Sequence, residues 1–128
     1  MILLDTCALL WLVIDPVRLS AGARECLAAS GEFAYVSAIS AWEISWKSRC
    51  GKLELRLPPE VWWPRALQRH ALKELPVSAA IALRCASLPP LHRDAADRFL
   101  IATAQEHKLT LLTPDPAIQV YPDLRTLW

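Results

Sequence analysis

Five acids stand where chemistry could use them. Asp5 directly follows the apolar run Ile2-Leu3-Leu4, and Glu43 comes shortly after Phe33-Ala34-Tyr35-Val36-Ser37. Asp94 and Asp97 open the segment after Leu91-His92-Arg93, and Asp115 stands two residues past Leu109-Thr110-Leu111-Leu112-Thr113. Carboxylates brought close together raise one another's pKa and cost stability unless a cation joins them. A hard divalent cation with carboxylate and water ligands is the natural partner, and Mg²⁺ takes one or two carboxylates plus substrate phosphates. Such a centre can activate water and stabilise charge building on a phosphodiester oxygen.

Each acid also has a plain structural role open to it. Asp5 and Thr6 are good helix N-caps. Glu43 completes the capping box Ser40-Ala41-Trp42-Glu43 and has Lys47 four residues on. Asp94 and Asp97 favour a helix N-terminus, with Arg93 and Arg98 beside them. Asp115 lies between Pro114 and Pro116, as turn residues do. None of these roles explains why an acid falls at every strand exit.

The elements that must position them read as alternating strands and helices. A continuous apolar run is the mark of a strand buried on both faces, so Ile2-Leu3-Leu4 is read as a central parallel strand. Thr6 to Ile14 follows as a helix apolar on nearly every side, ending before Pro16. Leu19 to Ser30 reads as a helix capped by Ser20 and stopped by Gly31, and Glu32 to Ser37 as the second strand. Ser40 is expected to cap a helix from Ala41 to about Cys50. Lys52 to Leu57 alternates polar and apolar residues and reads as a short extended segment before Pro58-Pro59. A helix from Pro59 or Glu60 to about Ala71, a strand Leu72 to Val77, and a helix Ala79 to Ser87 capped by Ser78 come next. The helix Ala96 to His107 and the strand Leu109 to Thr113 follow, with extended edge pieces at Ile118–Tyr121 and Leu124–Trp128. Such alternation implies βαβ units and a parallel sheet. Ligands of open parallel sheets sit beyond the carboxyl ends of the strands, where all these acids would lie.

The 128 residues suit one domain spanning 1–128, and 54% hydrophobic against 21% charged residues favours a heavily buried sheet. A net charge of +1 gives no global basic field for nucleic acid. Contact with phosphates must come from local clusters such as Lys47, Arg49, Lys52 and Arg56, or Arg93 and Arg98. The four cysteines form no CxxC pair, and with the three histidines they show no zinc-ligand spacing. No secretory leader is visible, so reduced thiols and a cytoplasmic location are expected. No apolar run spans a bilayer. Six tryptophans, among them Trp42, Trp46, Trp62 and Trp63, suggest core and an apolar groove for a peptide or helix.

Several of these phrases together resemble PIN-domain proteins, and more narrowly the VapC-type toxins of bacterial toxin–antitoxin pairs. They are Met1 to Thr6 with the apolar helix after it, Ser40-Ala41-Trp42-Glu43-Ile44, Gly51-Lys52-Leu53, the run His92 to Ala102, and Leu112-Thr113-Pro114-Asp115-Pro116. The resemblance covers essentially the whole chain, in the family's order. It implies a three-layer α/β/α sandwich around a short parallel sheet. It also implies Mg²⁺- or Mn²⁺-dependent cleavage of RNA, with Asp5, Glu43, Asp97 and Asp115 as the four acids. Asp94 is then a candidate outer ligand, and Thr6 and Thr113 are hydroxyls beside the acids. Ala95-Ala96 stands where many relatives have proline and an aromatic residue, which leaves open whether Asp94 or Asp97 is the closer ligand. Lys47, Arg49, Lys52, Arg93 and Arg98 become the expected RNA contacts. A cognate antitoxin and a homodimer are the expected partners. Alternatives are a nuclease of the same fold in RNA processing or repair, and a catalytically silent binding module whose acids cap helices.

Overall fold

The computed structural model describes all of residues 1–128. Strand β1 (Ile2–Leu4) is buried at all three positions, which explains its unbroken apolar run. It pairs in parallel with β2 (Ala34–Ser37) on one side and β4 (Thr110–Leu112) on the other. Strand β3 (Lys73–Leu75) adds beyond β2, and β5 (Thr126–Leu127) beyond β4. The sheet is parallel throughout, in the order β3-β2-β1-β4-β5.

Side chains alternate between the two faces of a strand, and the two cores follow that alternation. Ile2, Leu4, Val36 and Leu112 face one core with helices α1 (Thr6–Ile14), α2 (Ala21–Ser30), α3 (Ala38–Arg49) and α4 (Pro59–Arg69). Leu3 and Leu111 face the other, with α5 (Ala79–Ser87) and α6 (Ala95–His107). The result is a three-layer α/β/α sandwich with a short parallel sheet. Leu3, Leu4, Leu111 and Leu112 are wholly buried, each stabilising the fold by about 1.5–3 kcal/mol.

From β1 the chain winds outward through β2 and β3 in one direction, and through β4 and β5 in the other. The reversal falls between β1 and β4, which is where such sheets open a crevice at their carboxyl ends. Asp5 leaves β1 and Thr113 leaves β4, and the Asp5 amide donates to the Leu112 carbonyl at 3.1 Å.

Three expectations are corrected. Helix α3 starts at Ala38, directly out of β2, and its cap is Ser37, whose hydroxyl accepts from the Ile39 amide at 3.1 Å. Ser40 is therefore inside the helix and no Ser40–Glu43 capping box forms. Lys52 to Leu57 pairs with no strand; Leu53, Leu55 and Leu57 alternate because one side packs on the first core. The edge piece expected at Ile118–Tyr121 is instead a short helix α7 (Pro116–Gln119), capped by Asp115 with Pro116 at its first position.

Candidate metal centre

The acids are placed by helix starts. Asp5 ends β1 and caps α1, its Oδ1 accepting from the Ala8 amide at 2.6 Å. Asp115 caps α7 in the same way, with Oδ1 accepting from Ala117 at 2.9 Å, while its own amide donates to Thr113 Oγ1 at 3.1 Å. Asp94 caps α6 by accepting from the Asp97 amide at 3.1 Å, and this leaves Asp97 in the first turn. One oxygen of each capping carboxylate is thus held by backbone, which fixes where the other points. Glu43 comes from the middle of α3. Thr6 Oγ1 and Ser40 Oγ, 2.8 Å apart and both buried, tie the start of α1 to α3 beneath it.

Burial and mutual repulsion show in the titration of these groups. Burial pushes the Asp5 carboxyl up to about 6, against the Thr113 hydroxyl and the Ala8 amide, and the charges of Asp115 and Glu43 add to the rise. Burial, followed by the charges of Asp94 and Glu43, pushes Asp97 up to about 7. Glu43 is only 7% exposed. Its Oε2 pairs with Lys47 Nζ at 2.9 Å, and the hydrogen bond to Glu43 raises the lysine's pKa. Its Oε1 is buried with no hydrogen-bond partner.

His92 completes the cluster and was not singled out from the sequence. Its Nε2 lies 2.9 Å from Asp97 Oδ2 and 3.3 Å from Asp115 Oδ2. One ligand atom from each of His92, Asp97 and Asp115 lies within 4.8 Å of the others. The only sequence signal was proximity: His92 is five residues before Asp97, in a proline-rich loop whose path no local pattern fixes. Tyr121 and Arg98 fix it. The His92 amide donates to the Tyr121 hydroxyl at 2.8 Å, and Arg98 donates to the carbonyls of Cys85, Leu88, Pro89 and His92.

The basic residues divide. Lys47 is bound to Glu43, and Arg49 pairs with Glu60 at 2.8 Å on the exposed side of α3. Lys52 sits 5.1 Å over the Trp46 ring, and Arg93 is exposed beside the acid edge. Arg98, expected to contact RNA, has its guanidinium committed to loop carbonyls and the Tyr121 hydroxyl. Its residue type was legible, but its task is structural because α6 carries it under the loop rather than into solvent.

The donor set fits a hard divalent cation. Several carboxylates converge, one buried carboxylate oxygen lacks a hydrogen-bond partner, and burial with mutual repulsion raises Asp5 and Asp97, a cost that a bound cation would offset. Cys7 lies beside Asp5, and burial followed by that charge pushes its thiol up to about 11, so a thiolate nucleophile is not available at this edge.

The family model described as PIN domain matches residues 2–124. The chain is 31% identical over 130 residues to "Ribonuclease VapC22" of Mycobacterium tuberculosis (strain ATCC 25618 / H37Rv), covering 99% of this chain and 98% of that protein. Among solved structures, VapBC2 from Rickettsia felis, bound to a DNA fragment from its promoter, is similar with a TM-score of 0.74 at 17% identity. That alignment covers 98% of this chain and 97% of the other. A toxin–antitoxin complex from Klebsiella pneumoniae is similar with a TM-score of 0.66 at 23% identity, over 97% and 95% of the two chains. At these identities the two structures speak for the fold.

Proposed function

The chain belongs to the PIN-domain family, and from that premise we propose that it is a divalent-metal-dependent endoribonuclease, the toxin half of a toxin–antitoxin pair. The observation that carries this reading is the convergence of Asp5, Glu43, Asp97 and Asp115 at the reversal of the sheet, with the buried Glu43 Oε1 unpartnered. The Mycobacterium tuberculosis relative supports ribonuclease activity, and the Klebsiella pneumoniae assembly supports an antitoxin partner.

Asp5, Glu43, Asp97 and Asp115 would hold Mg²⁺ or Mn²⁺, with Asp94 as an outer, helix-capping acid. When bound, the cation offsets the crowded negative charge and supplies Lewis-acid activation of water against a phosphodiester. The protein's own groups prepare that edge. The Ala8 amide and the Thr113 hydroxyl orient Asp5, and Lys47 orients Glu43. The Thr6–Ser40 contact keeps α1 and α3 at a fixed separation. Exposed Arg93, with Arg49 and Lys52 further along, offers positive charge to an RNA backbone without reading its sequence.

Exposed Trp42 and Trp46, stacked with ring centroids 6.4 Å apart, and the groove beside them lined by Trp62 and Trp63 are the surface we assign to the antitoxin or to a second copy of the chain. No helix is long and apolar enough to cross a membrane; a cytoplasmic site of action is part of the proposal. Expression of the chain in growing bacteria tests it. The wild type should arrest growth with RNA breakage, Asp5→Asn should not, and co-expression of a small neighbouring gene product should relieve the arrest. Normal growth and intact RNA with the wild type at high expression would count against a toxin.

A further inference from the structure

The acid edge contains one donor that is not an acid. His92 reaches it from a loop built for the purpose, its backbone held on both sides by Tyr121 and Arg98. Its Nε2 is buried between Asp97 Oδ2 at 2.9 Å and Asp115 Oδ2 at 3.3 Å, yet it is not aligned for a hydrogen bond to either. A second polar atom without a hydrogen-bond partner lies in the same region. Glu43 Oε1 is buried, and the Glu43 charge acts on both Asp5 and Asp97. Two buried polar atoms at one acid edge that make no hydrogen bond to the protein mark a place for a cation.

Taking this edge to be a cation centre, as the proposed function does, we propose that His92 Nε2 is itself a ligand, beside Asp97 and Asp115, and that its nitrogen makes the centre prefer Mn²⁺ to Mg²⁺. Mg²⁺ demands oxygen donors and gives up water reluctantly. Imidazole suits transition metals better, so one nitrogen in an otherwise carboxylate set shifts selectivity towards them. Ligation requires the ring proton to sit on Nδ1. That nitrogen now accepts from the Asp94 amide at 3.4 Å, a long contact at an exposed position where water can replace it. The change of tautomer therefore breaks no strong bond.

Calorimetric titration of Mn²⁺ and Mg²⁺ into the wild type, His92→Gln and Asp97→Asn tests the selectivity. Pulsed electron paramagnetic resonance of bound Mn²⁺ reads the ligand directly, through nitrogen coupling that changes when the histidines carry ¹⁵N. The wild type should show that coupling without any variant being needed, so a folding failure of His92→Gln would not leave the matter open. His92→Gln should lose the coupling and reduce the Mn²⁺ to Mg²⁺ affinity ratio by about tenfold or more. Mn²⁺ binding that Asp97→Asn abolishes but that shows no nitrogen coupling, with the ratio unchanged in His92→Gln, would overturn the role of His92 and leave the acid centre standing. Binding of neither cation to the wild type would overturn the centre and this inference together.

Discussion

Asp5 and Asp97 carry the clearest consequence at the scale of single residues. Both keep protons in the folded protein, at about 6 and about 7, that an unfolded chain loses near the ordinary 3.8. The folded state therefore binds more protons between those limits, and stability falls as pH rises through them. With chelator present, the melting temperature should decline from pH 5 to pH 8, corresponding to a loss of about 2 kcal/mol. Asp97→Asn should remove most of the slope, and saturating Mn²⁺ should stabilise more at pH 8 than at pH 5, because ligands must be deprotonated. Scanning calorimetry across that range checks the sign; a melting temperature that climbs from pH 5 to pH 8 in chelator would contradict it. Asp5 and Asp115 were legible because each follows an apolar strand, whereas Asp94 and Asp97 were read from a helix start and Glu43 from a helix after the second strand. His92 was not, because its approach to Asp97 depends on a tyrosine 29 residues away in sequence.

Individual elements show why local reading succeeds or fails. Strand β1 was plain from its apolar run, and helix α6 from Asp94, since caps and burial are encoded locally. Helix α3 was misplaced by three residues at its start because Ser37 and Ser40 are both capping types, and only packing decides between them. Buried Ser40 is needed against Thr6, so Ser37 is left as the cap. The loop from Leu88 to Arg93 is likewise decided at a distance, by Arg98 reaching up from α6. Replacing it with methionine should orphan several loop carbonyls and cost about 2–4 kcal/mol. Arg93→Met, at an exposed position, should change stability by no more than about 0.5 kcal/mol while weakening RNA binding. Chemical denaturation of the two variants, with RNA binding measured in chelator, separates the tasks; equal stability losses would refute this division.

At the scale of the whole molecule, the reversal of the sheet between β1 and β4 gathers residues spread from position 5 to position 115 onto one edge. The parallel sheet was readable because buried parallel strands leave continuous apolar runs and right-handed crossovers restrict their order, while the three layers were implied by the resemblance to PIN-domain proteins. The proposed partner surface was less so: a tryptophan's type says core or interface, and only the fold leaves Trp42 57% exposed. RNA cleavage by the purified chain is the measurement that tests the central claim most directly. It would be run with Mn²⁺ or Mg²⁺, with chelator, and with Asp97→Asn in parallel. Cleavage should need the cation, stop in chelator, and fall by at least about a thousandfold in the variant. Cleavage that survives chelation, or that Asp97→Asn performs as well as the wild type, would contradict it.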